Sequence, residues 1–287
     1  MGSGSGQTMS GTMIHHWRLL TFIIASVPAA LSAQVGPAEP LVVGETFTIE
    51  SQVLGEARRI NVYAPAAYGA PGSPALPVLY MPDGGIGEDF LHVAGLVQIS
   101  TLNATMRPFL LVGIENTERR RDLTGPTTVA TDSAIAVLVG GSAAFRRFLR
   151  DELMPAVRER YRTTGENVLL GESLAALFVI ETFFLEPGLF DTYVAVEPSL
   201  WWNDADLLRR AGERLRTWPG DSAILYLASG APSEITESTE RLASLLRAHA
   251  PPSLQWHYQP MPQETHGTIF HPALLGAFRA LFPAADP

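Results

Sequence analysis

Apolar positions along the chain fall into two patterns. Short, fully apolar runs occur at "VLYM" (78–81), "FLLVGI" (109–114), "TYVAV" (192–196) and "AILYLA" (223–228), with "VLL" at 168–170. Such runs mark strands buried on both faces, as in a parallel sheet covered by helices. Between them lie stretches with helical spacing: 90–100, 143–160, the segment from Leu174, 207–215, 235–250 and "PALLGAFRALF" near the C-terminus. In 143–160, Phe145, Phe148, Leu149, Leu153 and Val157 fall near one helix face. "TFTIESQVLG" and "RRINVYAP" alternate instead, and predict an antiparallel pair at the sheet edge. "SLQWHYQP" reads as a last strand. The expected fold is therefore α/β, with about eight mostly parallel strands and helices on both faces. No repeat or linker divides the mature part.

The first residues are set apart from that pattern. Positions 1–12 are rich in Gly, Ser and Thr, like a tag or a misassigned start. "MIHHWRLLTFIIASVPAALSAQ" follows, with a weakly basic head and an apolar stretch from Leu19 to Leu31. That stretch is shorter than the ~20 residues a membrane-spanning helix needs, and small residues close it. We read 1–33 as an extension plus a signal peptide cleaved before Gln34, and 34–287 as one domain. The expected location is periplasmic or secreted, with no stable membrane insertion after cleavage. An uncleaved anchor is the competing reading.

Composition adds two exclusions. The formal net charge of −9 argues against nucleic acid or an anionic membrane as the main partner. The chain has no cysteine, so thiol nucleophiles and thiolate metal sites are out of reach.

The stretch "NVLLGESLAALF" (167–178) carries the candidate chemistry. An apolar strand, the tight turn Gly171-Glu172-Ser173 and an apolar helix match the context of a nucleophile elbow, G-x-S-x-G. Ala175 replaces the final glycine. By itself the serine could equally cap a helix. A serine hydroxyl is a weak nucleophile unless a histidine takes its proton and a carboxylate fixes that histidine's tautomer. Of seven histidines, His266 in "MPQETHGTIFHP" lies in the loop after the last strand, where a base is expected. His271, before Pro272, reads as a helix-entry residue, and His92, His249 and His257 lie inside predicted elements. "LASGAPSEITESTE" (227–240) offers Glu234 and Glu237 as acids, Glu234 being nearer the strand end; both could instead begin a helix. "MPDGGIGEDF" supplies a glycine loop after a central strand. Gly84 or Gly85 there, with Leu174, would give backbone N–H groups for an oxyanion. No metal or organic cofactor is implied.

"VLYMPDGG", "VGIENTERRRDLTGP", "FLRDELMPAVRERYRTTGENVLLGESLAALF", "LFDTYVAVEPSLWWND" and "HGTIFHPALLGAFRALF" together resemble the putative-esterase branch of the α/β-hydrolases, which includes esterase D-like and enterobactin-type siderophore esterases. The resemblance spans about 78–282. It implies an α/β-hydrolase fold, Ser173 as nucleophile and His266 as base, and it sets Trp201 and Trp202 beside the site as an acyl- or aryl-binding wall, with core packing as the alternative. It also implies a structural loop at "RRRDLT" in which Arg121 and Asp122 pair. Two departures stand out: family elbows resemble G-H-S-x-G-G, and the acid is poorly matched, some members being thought to work with serine and histidine alone.

The expected function is an exported serine esterase acting on a small-molecule ester through Ser173, His266 and Glu234, with Leu174 and Gly85 holding the oxyanion. A siderophore trilactone esterase is the near alternative, with arginines 119–121 as a basic pocket. An acyltransferase or a non-catalytic binding module on the same fold are the others.

Overall fold

The structure, a computed structural model, describes residues 1–6, 35–66, 68–219 and 222–284. The expected signal segment and its cleavage point lie outside these residues. The chain divides into Met1–Leu41, whose described residues form no helix or strand, and Val42–Pro287.

The second unit is built on eight strands: β1 Glu45–Ser51, β2 Glu56–Tyr63, β3 Leu76–Pro82, β4 Leu110–Ile114, β5 Thr163–Glu172, β6 Thr192–Val196, β7 Ala223–Ser229 and β8 Leu254–Pro260. Their order is β1-β2-β4-β3-β5-β6-β7-β8. β1 and β2 form the expected antiparallel edge, β2 joins β4 antiparallel, and every pairing from β4 to β8 is parallel. β3, β4 and β6 are buried throughout, as their unbroken apolar runs require.

The helices are α1 Phe90–Leu102, α2 Arg119–Leu123, α3 Ala130–Ser133, α4 Ser142–Phe148, α5 Met154–Arg160, α6 Leu174–Leu185, α7 Trp202–Arg216, α8 Glu234–His249 and α9 Phe270–Leu281. α1 and α9 cover one face of the sheet. α4 to α8 cover the other. α6 is buried along nearly its whole length, and burial of a side chain such as Phe178 or Phe183 stabilises by ~1.5–3 kcal/mol.

The single helix expected over 143–160 is interrupted. A π turn at Leu149–Leu153 separates α4 from α5. Pro155, at the start of α5, has no N–H to give to the carbonyl four residues back, so the helix widens just before it.

Candidate active site

Three non-glycine residues with positive φ stand at the carboxyl ends of central strands: Asp83 after β3 (57°), Ser173 after β5 (60°) and Glu197 after β6 (49°). Backbone strain of this kind costs ~1–3 kcal/mol per residue and collects at functional sites. The carboxyl edge is also where parallel sheets bind ligands.

Ser173 sits at the sharp turn from β5 into α6, with ψ −119°, and its N–H donates to Val196 O at 3.0 Å. The turn is tight enough that a Cβ on Gly171 would lie 2.7 Å from the Ala175 methyl. Ala175 therefore fits in place of the pattern's last glycine because Gly171 supplies the space. Ser173 Oγ lies 3.5 Å from Ser199 Oγ, and Ser199 is buried in the turn after β6.

His266 stands in the loop between β8 and α9, and its Nδ1 is 2.9 Å from Glu197 Oε2. Glu197 is 2% exposed, while the His266 side chain is 47% exposed, so one end of the imidazole is anchored and the rest of the ring is open to solvent. The other carboxylate oxygen, Oε1, accepts the Gly230 N–H at 2.6 Å and the Thr236 hydroxyl at 3.4 Å. Burial pushes the Glu197 carboxyl up, but the His266 and Gly230 hydrogen bonds outweigh it and hold it below its usual value. A carboxylate in that state only accepts, so His266 carries its hydrogen on Nδ1 and leaves Nε2 as the acceptor. The Glu197 bond raises the His266 pKa; burial opposes that rise and the Glu172 charge adds to it.

Glu234 is not beside His266. It is exposed in the first turn of α8, capped by Ser233, whose Oγ accepts the Thr236 N–H at 3.1 Å. Glu237 is exposed in the same turn. The 229–237 segment reaches the site through the Gly230 N–H and the Thr236 hydroxyl instead of a carboxylate. Sequence reasoning missed Glu197 and Ser199, although "VEPS" directly after an apolar strand was the available signal.

The glycine loop also differs from expectation. Gly84 donates its N–H to Ile114 O at 3.0 Å and packs against Gly113, where a Cβ would approach within 2.3 Å. Gly85 donates its N–H to Glu88 Oε2 at 2.6 Å, because the turn folds the Glu88 side chain back over it. Gly85 is thus no free oxyanion donor in this arrangement. Leu174 is the first residue of α6, where N–H groups lack intrahelical acceptors.

The two tryptophans part ways. Trp202 is buried and its Nε1 donates to Gly125 O at 2.8 Å, as the core-packing alternative expects. Trp201 is half-buried, 6.0 Å from it between ring centroids. Of the three arginines, Arg119 forms a two-bond pair with Asp83 (2.6 and 2.8 Å), and Arg121 pairs with Asp122 (2.7 Å) and Glu56 (2.6 Å). Arg120 is exposed. No group of three or more histidines or carboxylates suited to a metal occurs among the described residues. None of the described helices is long and apolar enough to cross a membrane.

A parallel-centred sheet of this order, with a strained serine at the β5–α6 turn, defines an α/β-hydrolase. The chain belongs to the family described as Putative esterase, whose model matches residues 51–250. The solved structure of an IroE-like serine hydrolase from Shewanella oneidensis superposes with a TM-score of 0.78 at 28% identity, over 85% of this chain and 82% of that one. Among curated proteins, the ferri-bacillibactin esterase BesA of Bacillus subtilis is 32% identical over 36% of this chain and 40% of its own length. The siderophore triacetylfusarinine C esterase of Aspergillus fumigatus is 36% identical over 32% of each. The match thus spans well under half the length of these curated relatives.

Proposed function

We propose that the protein is an exported serine ester hydrolase in which Ser173, His266 and Glu197 act as one unit. The observation that carries this reading is the buried Glu197 carboxylate on His266 Nδ1, in a loop facing the same strand ends as the strained Ser173. Ser173 Oγ attacks the ester carbonyl while His266 Nε2 takes its proton. Glu197 holds the ring in the tautomer that can do so and offsets the positive charge that forms. Leu174 N–H receives the oxyanion. Gly85 N–H joins it once the Glu88 carboxylate gives way to the substrate carbonyl. His266 then passes the proton to the leaving alcohol, and water activated by the same ring releases the acid. No cofactor takes part. Rotation of Ser173 Oγ away from Ser199 and toward His266 precedes attack; such contacts commonly tighten only when substrate binds.

A siderophore ester is the second reading, favoured by the names of the relatives. Pairing of Arg119 and Arg121 with carboxylates leaves little free positive charge for a highly anionic catecholate complex. A less charged ester suits that charge balance better. Acyl transfer and ligand binding without chemistry remain as the other outcomes of the test.

The test is hydrolysis of p-nitrophenyl esters of rising chain length beside a catecholate and a hydroxamate siderophore ester, with wild type and Ser173→Ala. Loss of nearly all turnover in the variant is expected, since removing the nucleophile of such a unit costs as much as ~10⁶ in kcat. Retention of more than about a tenth of the wild-type rate would overturn the assignment.

A further inference from the structure

Glu172 stands between Gly171 and Ser173, where the elbows this family resembles carry other side chains. It is the last residue of β5 and lies in register with Val196, so its neighbour across the sheet edge is the residue just before Glu197. The side chain is half-buried. Its Oε1 is shielded from solvent and has no hydrogen-bond partner. Glu181 provides a contrast: its Oε1 accepts from Ser142 Oγ at 2.7 Å and from Arg146 at 3.0 Å, as a structural carboxylate should.

The groups acting on Glu172 come from four elements: His266 from the loop after β8, Glu197 from the end of β6, Asp83 from the end of β3 and Asp89 from the start of α1. Arg119 is already held by both Asp83 oxygens. Burial pushes the Glu172 carboxyl up to about 7; Asp89, Glu197 and Asp83 push it the same way, and His266 opposes them. The coupling is mutual, because the Glu172 charge in turn raises His266. Two carboxylates therefore favour a proton on His266: Glu197 through the bond to Nδ1, and Glu172 through its charge alone.

We propose that Glu172 is a positioning residue for His266: its ionised carboxylate stabilises the imidazolium formed when Ser173 gives up its proton, and its protonation withdraws that support. The inference rests on the Ser173–His266–Glu197 reading. In a half-buried cleft a charge interaction is screened less than in bulk water, so an unpaired carboxylate beside the base affects the reaction directly. Protons on Glu172 and His266 then leave in steps that belong to the pair.

Glu172→Gln keeps the shape and removes the charge. The acid limb of the kcat/KM profile on p-nitrophenyl acetate should move to lower pH by about half a unit or more, because His266 loses a neighbour that favours its protonated form. The alkaline plateau should fall several-fold, because the imidazolium of the transition state is less supported. A second readout is independent of turnover. In a Ser173→Ala background, the NMR titration midpoint of the His266 ring should drop by a similar amount when Glu172→Gln is added. An unmoved limb and an unmoved midpoint would overturn the inference. If Ser173→Ala or His266→Ala themselves kept substantial activity, the parent reading would fail instead, and these two controls separate the cases.

Discussion

Glu197 Oε2 lies 2.9 Å from His266 Nδ1, and its partner oxygen is held by the Gly230 N–H at 2.6 Å. Across 69 positions of sequence, a buried carboxylate thus anchors one end of a half-exposed imidazole. Glu197→Gln should lower kcat by roughly 10³–10⁴, the size of loss when a carboxamide imposes the wrong histidine tautomer. Steady-state kinetics with folded variant, judged by circular dichroism, checks this. A loss under ten-fold would mean that His266 is oriented by something else.

Glu234 and Glu237 should behave as ordinary first-turn residues of α8. Either change to Gln should leave kcat/KM within a few-fold of wild type and alter stability by ~0.3–1 kcal/mol through the helix dipole. Ser233→Ala, which removes the cap on Thr236 N–H, should cost about 1 kcal/mol. Denaturant unfolding measures both, and a large activity loss in Glu234→Gln would return the acid to that loop.

The pH dependence follows from two opposite shifts. His266 is raised above its usual 6.5, and attack needs the neutral ring, so kcat/KM should climb with pH through a midpoint above 6.5. Stability follows each group separately. The raised His266 contributes fully below 6.5 and loses that contribution as pH rises through its folded value. The lowered Glu197 contributes above 4.5 and loses it as pH falls through its folded value. The melting-temperature gap between wild type and Glu197→Gln should therefore be widest between about pH 4.5 and 6.5. A gap that is flat from pH 4 to 9 would contradict the ion pair.

Packing at the elbow makes a double-mutant prediction. Gly171→Ala places a methyl 2.7 Å from the Ala175 methyl and should cost ~1–3 kcal/mol, with loss of activity as the turn shifts. Ala175→Gly alone should cost ~1 kcal/mol in helix propensity. Together they should recover only a small part of the Gly171→Ala loss, because the new methyl also lies 2.8 Å from the Ala175 carbonyl carbon and 3.0 Å from its oxygen, which the second change leaves in place. Full recovery in thermal unfolding would contradict the backbone clash and leave the Ala175 methyl as the sole obstacle.

Much of the architecture was legible because the buried strands announce themselves. "VLYM" and "TYVAV" have no charged residue, and the elbow lies between just such a strand and an apolar helix. The acid was not legible. Sequence order places Glu234 on the segment leading out of β7, but which carboxylate meets His266 depends on side-chain direction at the strand ends, where Glu197 takes a positive φ. Glu234 also obeyed a competing local rule: after Ser233, a glutamate suits the first turn of a helix. Trp201 and Trp202 stayed open between a substrate wall and core packing for a related reason, since a family pattern places them near the site without saying which face of the turn each ring takes. The occupied Gly85 N–H depends on the rotamer of Glu88, which no spacing rule reports.

The most direct test of the account is covalent capture. A fluorophosphonate ester reacts with a serine only when a neighbouring base activates it, and its adduct mimics the tetrahedral intermediate. Incubation of the wild-type protein, followed by peptide mass spectrometry, should give one stoichiometric adduct on Ser173. His266→Ala and Glu197→Gln should slow its formation by orders of magnitude, while Glu234→Gln should not. An esterase-active preparation that carried no adduct on Ser173, or carried it on Ser199, would contradict the account.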